Sequence, residues 1–341
     1  MESIVGKEES QKPRVVPDEK DTRFARFVLY IILISIAYIS VSYAYFVMLV
    51  EPLRSSQLSI HQMVIQGTAP MPIQYRILPY YLVEGLHRLT GISIWRLDLI
   101  IRFIFTSLAL IYFHKYMRRW FDFTASFVGA LIVAAILPIT YVDYIHQPHD
   151  IPNLLFAILA FGLIRDRRES WLILLIPVAM LNRESFIFVL WAWFFYNMDR
   201  IAFKTLIMEF LLFALIALVV YFALPRYFGP RANYVDTIQL KNNLNPIMMW
   251  KWFGRLVAFV GPVVLAMCVR YKSKPLFLKR SLGYVIIYMV VNFFIGMYQE
   301  TRLFLPILPV LIPLGLASIF PAYDPDSVIS LPVKSENEQN G

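Results

Sequence analysis

Long, unbroken apolar runs follow one another down this chain, and they restrict it to very few architectures. The chain has 341 residues, 59% of them hydrophobic, with a mean hydropathy of +0.60. A soluble domain of this length does not look like that. Lipid supplies no water to exposed backbone, so only helices and closed barrels cross it. The runs are continuous rather than alternating, so we expect an all-α membrane protein. Spans read at about 24–50, 94–114, 122–142, 151–164, 205–224, 252–270, 282–298 and 303–320, about eight in all. A span needs about 20 apolar residues. The 151–164 run is short and must borrow from its flanks or lie shallow.

The segment 171–197 admits two readings. Trp171 to Leu181 is apolar, Asn182-Arg183-Glu184-Ser185 is not, and Phe186 to Tyr196 is apolar again. It is either one span with charges at its middle or a re-entrant pair of half-helices with the polar turn at its tip. Positive charge favours the hairpin. With a cytoplasmic N-terminus, the hairpin leaves Lys115, Arg118 and Arg119, then Arg165 to Arg168, then Arg270 to Arg280 on the cytoplasmic side. A full crossing would put Arg270 to Arg280 outside, against the positive-inside rule. Both termini are then cytoplasmic. The longest outer loop, about 51–93, is expected to carry one interfacial helix from Ile77 to Leu89, with Leu78, Tyr81, Leu82, Leu86 and Leu89 near one face.

The remaining composition sets limits. Residues 1–22 mix both charge signs, residues 321–341 are polar, and both read as disordered tails around a transmembrane domain at 23–320. No cleavable signal pattern occurs. No Asn-x-Ser/Thr sequon is present, which leans toward a bacterial plasma membrane. The single cysteine, Cys268, excludes an internal disulfide. The net charge of +9 lies in short loops, so it reads as topology and not as affinity for nucleic acid.

Four polar clusters interrupt or abut the apolar runs, and on this topology all face outward. They are Tyr75-Arg76, the stretch Asp143 to Asp150, Asn182-Arg183-Glu184, and Gln299-Glu300-Thr301-Arg302. A charge at mid-bilayer costs about 2.5–3.5 kcal/mol on the gentlest scale, so each cluster is a candidate site. Arginine presents a planar fork suited to phosphate; its bland role is to snorkel to headgroups. His146, His149 and Asp150 lie close enough in sequence to suggest a metal, a substrate contact or plain loop polarity. Pro148 and Pro152 argue against regular helix until after Pro152. Arg183 beside Glu184 is the most specific cluster, with a structural network as its alternative. Glu300 and Arg302 can simply pair with each other, as can Asp98 and Arg102 one helical turn apart.

Tyr75-Arg76-x-Leu78-Pro79, an Asp150 that opens a span, Asn182-Arg183-Glu184-Ser185, and Glu300-x-Arg302 followed by prolines resemble bacterial proteins placed near the GT-C-type membrane glycosyltransferases. The resemblance implies a sugar taken from a polyprenyl-phosphate carrier outside the cytoplasm. It also implies an acid in the first outer loop as the base on the acceptor, with a divalent metal such as Mg or Mn. Here only Glu51 stands where the usual Asp would be, so Asp150 is the other candidate base. On this reading Arg76, Arg183 and Arg302 hold the phosphate, with Tyr75, Asn182, Glu184 and Glu300 around it. The partners are then a lipid-linked sugar donor and membrane lipids, the acceptor being open. A polymerase or ligase of lipid-linked glycans is the nearest alternative. A secondary transporter is the alternative from another class, but we find no internal duplication of the kind transporters show.

Overall fold

The computed structural model describes residues 19–48, 53–141, 147–233 and 238–323. Every regular element among them is helical: α1 (Glu19–Met48), α2 (Leu53–Ile65), α3 (Ile77–Thr90), α4 (Ile94–Met117), α5 (Phe123–Ile136), α6 (Asp150–Arg165), α7 (Ser170–Asn182), α8 (Val189–Asn197), α9 (Phe203–Phe228), α10 (Leu240–Asn243), α11 (Pro246–Cys268), α12 (Leu276–Ile295) and α13 (Leu308–Leu316), joined in places by short 3-10 turns. Three helices among the described residues are long and apolar enough to cross a membrane, or four if the bent halves of α11 count as one span. Much of their apolar surface faces outward. Phe27, Ile31 and Ile39 of α1 and Leu211, Leu215, Val219 and Phe222 of α9 are all exposed. An apolar exterior of this extent belongs to a membrane-embedded protein.

Local chemistry sets the helix boundaries. The Asp122 side chain accepts from the Ala125 N–H at 2.8 Å and starts α5. Asn245 caps α11 in the same way, with Pro246 in the first turn, where its missing N–H costs nothing. Gly91, at φ 69°, closes α3 in the left-handed conformation. Proline also shapes the last segment. Thr301–Ile307 is a 3-10 stretch, and α13 follows it. The carbonyls of Leu303 and Pro306 in that stretch accept from Tyr288 at 2.8 Å and Tyr284 at 3.2 Å. Two buried tyrosines on α12 therefore supply donors where prolines disturb the backbone ladder.

The buried axis of the molecule is α6, nearly all of whose residues are inaccessible. It packs on α4, α7, α8 and the Thr301–Ile307 stretch. At its C-terminal end, Arg165 reaches the Tyr196 hydroxyl at 3.4 Å, and Arg280 donates to the Tyr196 carbonyl at 2.9 Å. Trp120 stacks on Phe277 at the same end. We call this the basal end. The ends of α4, α6 and α8 and the start of α12 gather there.

The segment 171–197 enters and leaves at the basal end. It turns at Asn182–Ser185, beside the start of α6. At about 1.5 Å per residue, the 13 residues of α7 and the 9 of α8 reach only about 20 and 14 Å. They form a hairpin, with the 3-10 turn Glu184–Phe188 leading into α8.

The structure departs from sequence expectation in several places: three or four helices among the described residues, not about eight, are long and apolar enough to span, and α1 begins at Glu19, inside the expected tail. The loop before α3 contains a further helix, α2, whose buried face carries Gln57, His61 and Val64. Two of those three are polar, so no apolar stripe marked it. Helix α6 begins at Asp150, ahead of Pro152; proline in a first turn does not delay the helix. Helices α11 and α12 each start about six residues before the expected spans.

Helices α11 and α13 meet at Gly315. A Cβ there would lie 2.9 Å from Val263 Cγ1 and 3.1 Å from the Val263 carbonyl. Gly315→Leu should therefore force the two helices apart and cost about 1–3 kcal/mol. Thermal unfolding of the purified variant in detergent checks this; an unchanged midpoint would show that the helices do not approach so closely.

Candidate functional site

The described residues of the four polar clusters converge at the end of the bundle opposite the basal end. Asp150, the first residue of α6, has one oxygen on Arg183 Nη1 at 2.6 Å and the other on Arg302 Nη1 at 3.0 Å. Arg302 also binds Glu300 through Nη2, at 2.5 Å. Arg76 forms a two-pronged pair with Glu184, one prong being Nε to Oε2 at 3.0 Å. Arg76 Nη1 meets His149 Nε2 at 3.1 Å, and Asn182 Nδ2 donates to the His149 carbonyl at 2.9 Å. Three guanidiniums thus face three carboxylates, and residues far apart in the chain form two hydrogen-bonded groups that adjoin at the neighbouring residues His149 and Asp150. Buried charges persist only when paired and hydrogen-bonded in this way.

His149 completes the network as a neutral ring. Its pKa is held well below the usual histidine value by burial, reinforced by the surrounding arginines. Arg76 can only donate, so Nε2 accepts and the proton sits on Nδ1. Asp150 Oδ1 lies 3.6 Å from Nε2, but the ring carries no charge to pair with it. Glu300 is shifted the other way. Burial pushes its carboxyl above the ordinary glutamate value, against the pull of Arg302.

The network borders a cavity of about 380 Å³. Arg76, Arg183, Arg302, Glu184 and Glu300 line it, and Gln147, Ser185, Gln239 and Asn292 add neutral polar groups. Leu218 and Tyr221 of α9 and Ile295 of α12 form an apolar side wall, with Ile187 and Phe188. Asp150 and His149 are not part of the lining; they sit behind the arginines. Arg183 is 3% exposed, and its Nε has no hydrogen-bond partner among the described residues. A buried guanidinium N–H without a partner carries a desolvation cost that an acceptor reaching it would remove.

The expected site residues therefore divide. Arg76, Arg183, Glu184, Glu300 and Arg302 share the cavity. Asn182 and Tyr75 hold backbone, Tyr75 through a 3.1 Å bond from its hydroxyl to the Gly229 carbonyl at the end of α9. Asp98 and Arg102 do pair, at 3.5 Å and almost fully buried. Glu51 and His146 lie outside the described residues, as does Asp143. Asp150 is not the open carboxylate its sequence position suggested, because two guanidiniums occupy its oxygens.

Of the residues proposed as metal ligands, only His149 and Asp150 lie among the described residues, and both are engaged by arginines. Among the described residues no three His, Cys, Asp or Glu side chains gather as ligands. His149 Nε2 accepts from Arg76, and both Asp150 oxygens accept from arginines. Sequence reasoning missed Gln239, Asn292 and Tyr221. Asn292, a polar residue inside an apolar run, was the one signal that could have drawn notice.

No protein-family model, curated protein or solved structure matches the chain. The site must be read from its own chemistry.

That chemistry makes Asp150 the keystone. Asp150→Asn would leave Arg183 and Arg302 buried without their shared counter-charge. Breaking a buried pair from one side costs about 3–5 kcal/mol. Asp150→Asn combined with Arg302→Gln should cost less than the two separate losses added together, because the partners act as a unit. Unfolding midpoints of the three variants measure this. Simple additivity would show that the two side chains are not coupled.

Proposed function

We propose that the chain transfers a sugar from a polyprenyl-phosphate carrier to an acceptor hydroxyl on the non-cytoplasmic side of the membrane. The observation that carries this reading is a cavity with arginines at its centre and apolar helices for a side wall. An amphiphile with an anionic head and a hydrocarbon tail matches both features. In this reading α7 and α8 form a re-entrant hairpin and about eight helical segments serve as spans. Helix α3 lies flat on the outer interface with Tyr81, Leu82 and Leu89 toward lipid; all three are exposed.

The roles follow from position. Arg183, with its open Nε, and Arg76 face the donor phosphate. They stabilise the negative charge that grows on it as the sugar leaves. Arg302 is held between Asp150 and Glu300 and completes the anion-facing side. The acceptor oxygen forms a bond to the anomeric carbon, and the bond from that carbon to the phosphate oxygen breaks. The electron pair stays on the lipid phosphate, and the acceptor proton passes to a carboxylate. Glu300 is the better-placed base: it lines the cavity, and its raised pKa brings it closer to the working range of a proton acceptor. Asp150 acts through the arginines as a positioning residue.

The reading is tested with the full chain in liposomes and a polyprenyl-phosphate-linked hexose, followed as release of the free lipid phosphate. Arg183→Lys should slow release by about 100-fold with the fold intact, since lysine cannot offer the same fork. Failure to consume the donor, together with flux of a charged solute into the liposomes, would instead support a transporter.

Glu300→Gln should abolish the acid limb of the pH–rate profile along with most of the rate. A base must be ionised, so a raised pKa moves the loss of activity on acidification to higher pH than an ordinary glutamate would give. A profile unchanged in Glu300→Gln would remove Glu300 from the base role.

A further inference from the structure

The second large cavity lies toward the basal end, where α6 lines it from Ile158 to Leu163, about 12–20 Å along the helix from Asp150. It has a volume of about 470 Å³ and lies between the end of α4, the second half of α6 and the first turns of α7. Its outer wall is Tyr112, Trp171, Leu174 and Val178, all of them exposed. One rim is basic, formed by Lys115, Arg119 and Arg168, with Asp166 as the only acid in the lining. Asp166 is bound on both oxygens by Arg119. Gly162 leaves room for that pair, since a Cβ there would stand 3.1 Å from Arg119 Nη2. Among the described residues Lys115 makes no ion pair; its ammonium lies 4.9 Å from the centre of the Tyr112 ring. Arg168 makes none either, and both residues are exposed.

We infer that this groove is a binding site for one anionic phospholipid of the leaflet at the basal end. The lipid phosphate sits between Lys115 and Arg168, and an acyl chain runs along Trp171, Leu174 and Val178. Charge complementarity selects the occupant. Three cations against one carboxylate leave the rim two charges positive, and the adjoining wall is hydrocarbon. A soluble phosphate would meet the rim and leave the wall bare. A zwitterionic lipid would cover the wall and bring its own cation to the rim. Arg119 and Asp166 neutralise each other and act as a fixed floor, so Lys115 and Arg168 carry the recognition. The inference needs only a membrane-embedded chain and does not depend on sugar transfer at the other end.

The test uses the full chain purified in detergent and mixed with phosphatidylglycerol, phosphatidylcholine or glycerol phosphate, with retained lipid counted by native mass spectrometry. One phosphatidylglycerol should survive delipidation, phosphatidylcholine should not, and glycerol phosphate should not displace it. Lys115→Gln with Arg168→Gln should weaken retention by about tenfold or more. Arg270→Gln with Lys272→Gln removes the same charge elsewhere at the basal end and should leave retention unchanged. Equal retention of the two lipids, displacement by glycerol phosphate, or equal loss in both double variants would overturn the site. The comparison of ligands on the unaltered chain decides the matter even if a variant fails to fold.

Discussion

One carboxylate organises the site end of this molecule. Asp150 opens the buried helix α6 and holds Arg183 from the α7–α8 turn and Arg302 from the start of the last segment. A carboxylate at a helix N-terminus is already favoured by the helix dipole. Two guanidiniums add charge-assisted hydrogen bonds that keep its burial from becoming prohibitive. Without that carboxylate, the turn at Asn182 would bring an uncompensated charge into an apolar bundle. With it, α7 can end beside the start of α6, next to the cavity. The broken helices and the polar chamber are two consequences of one neutralised charge.

The network is balanced, three positive against three negative, and its members are unequally exposed. Glu184 is the most open, with a side chain 37% accessible, whereas Arg183, Arg302 and Asp150 are nearly sealed. An arrangement built only for stability would gain little from an accessible rim beside a cavity. Apolar residues of similar volume often do as well in a core as a buried ion network. A hydrogen-bonded charge network that opens on a partly apolar chamber suits the anionic amphiphile of the proposed function.

The sequence revealed the fold class and the polar clusters, because both are local signals. Charges inside apolar runs stand out on inspection. The polar turn at Asn182–Ser185 was legible as a break in the apolar run from Trp171 to Tyr196. What the sequence hid was partnership. Asp150 looked like a free acid at a point of lipid entry because its partners lie 33 and 152 residues away. Similar separation concealed that Arg76 binds both Glu184 and His149, 108 and 73 residues away. Helix α2 escaped notice because Gln57 and His61 point inward, a polar buried face that periodicity cannot detect. Lys274 gave no signal either; its ammonium is buried and donates to the Leu314 carbonyl and the Ser318 hydroxyl at the end of α13.

The central claim is that the α7–α8 turn and the segment before α13 meet at one end of the bundle. Thiol labelling tests it most directly. Cys268 is the only native cysteine, so a Cys268→Ser background isolates single cysteines introduced at Ser185 and Gln299. A membrane-impermeant reagent applied from one side should modify both positions or neither. Modification of one from outside and of the other only from within would separate the two segments and contradict the account.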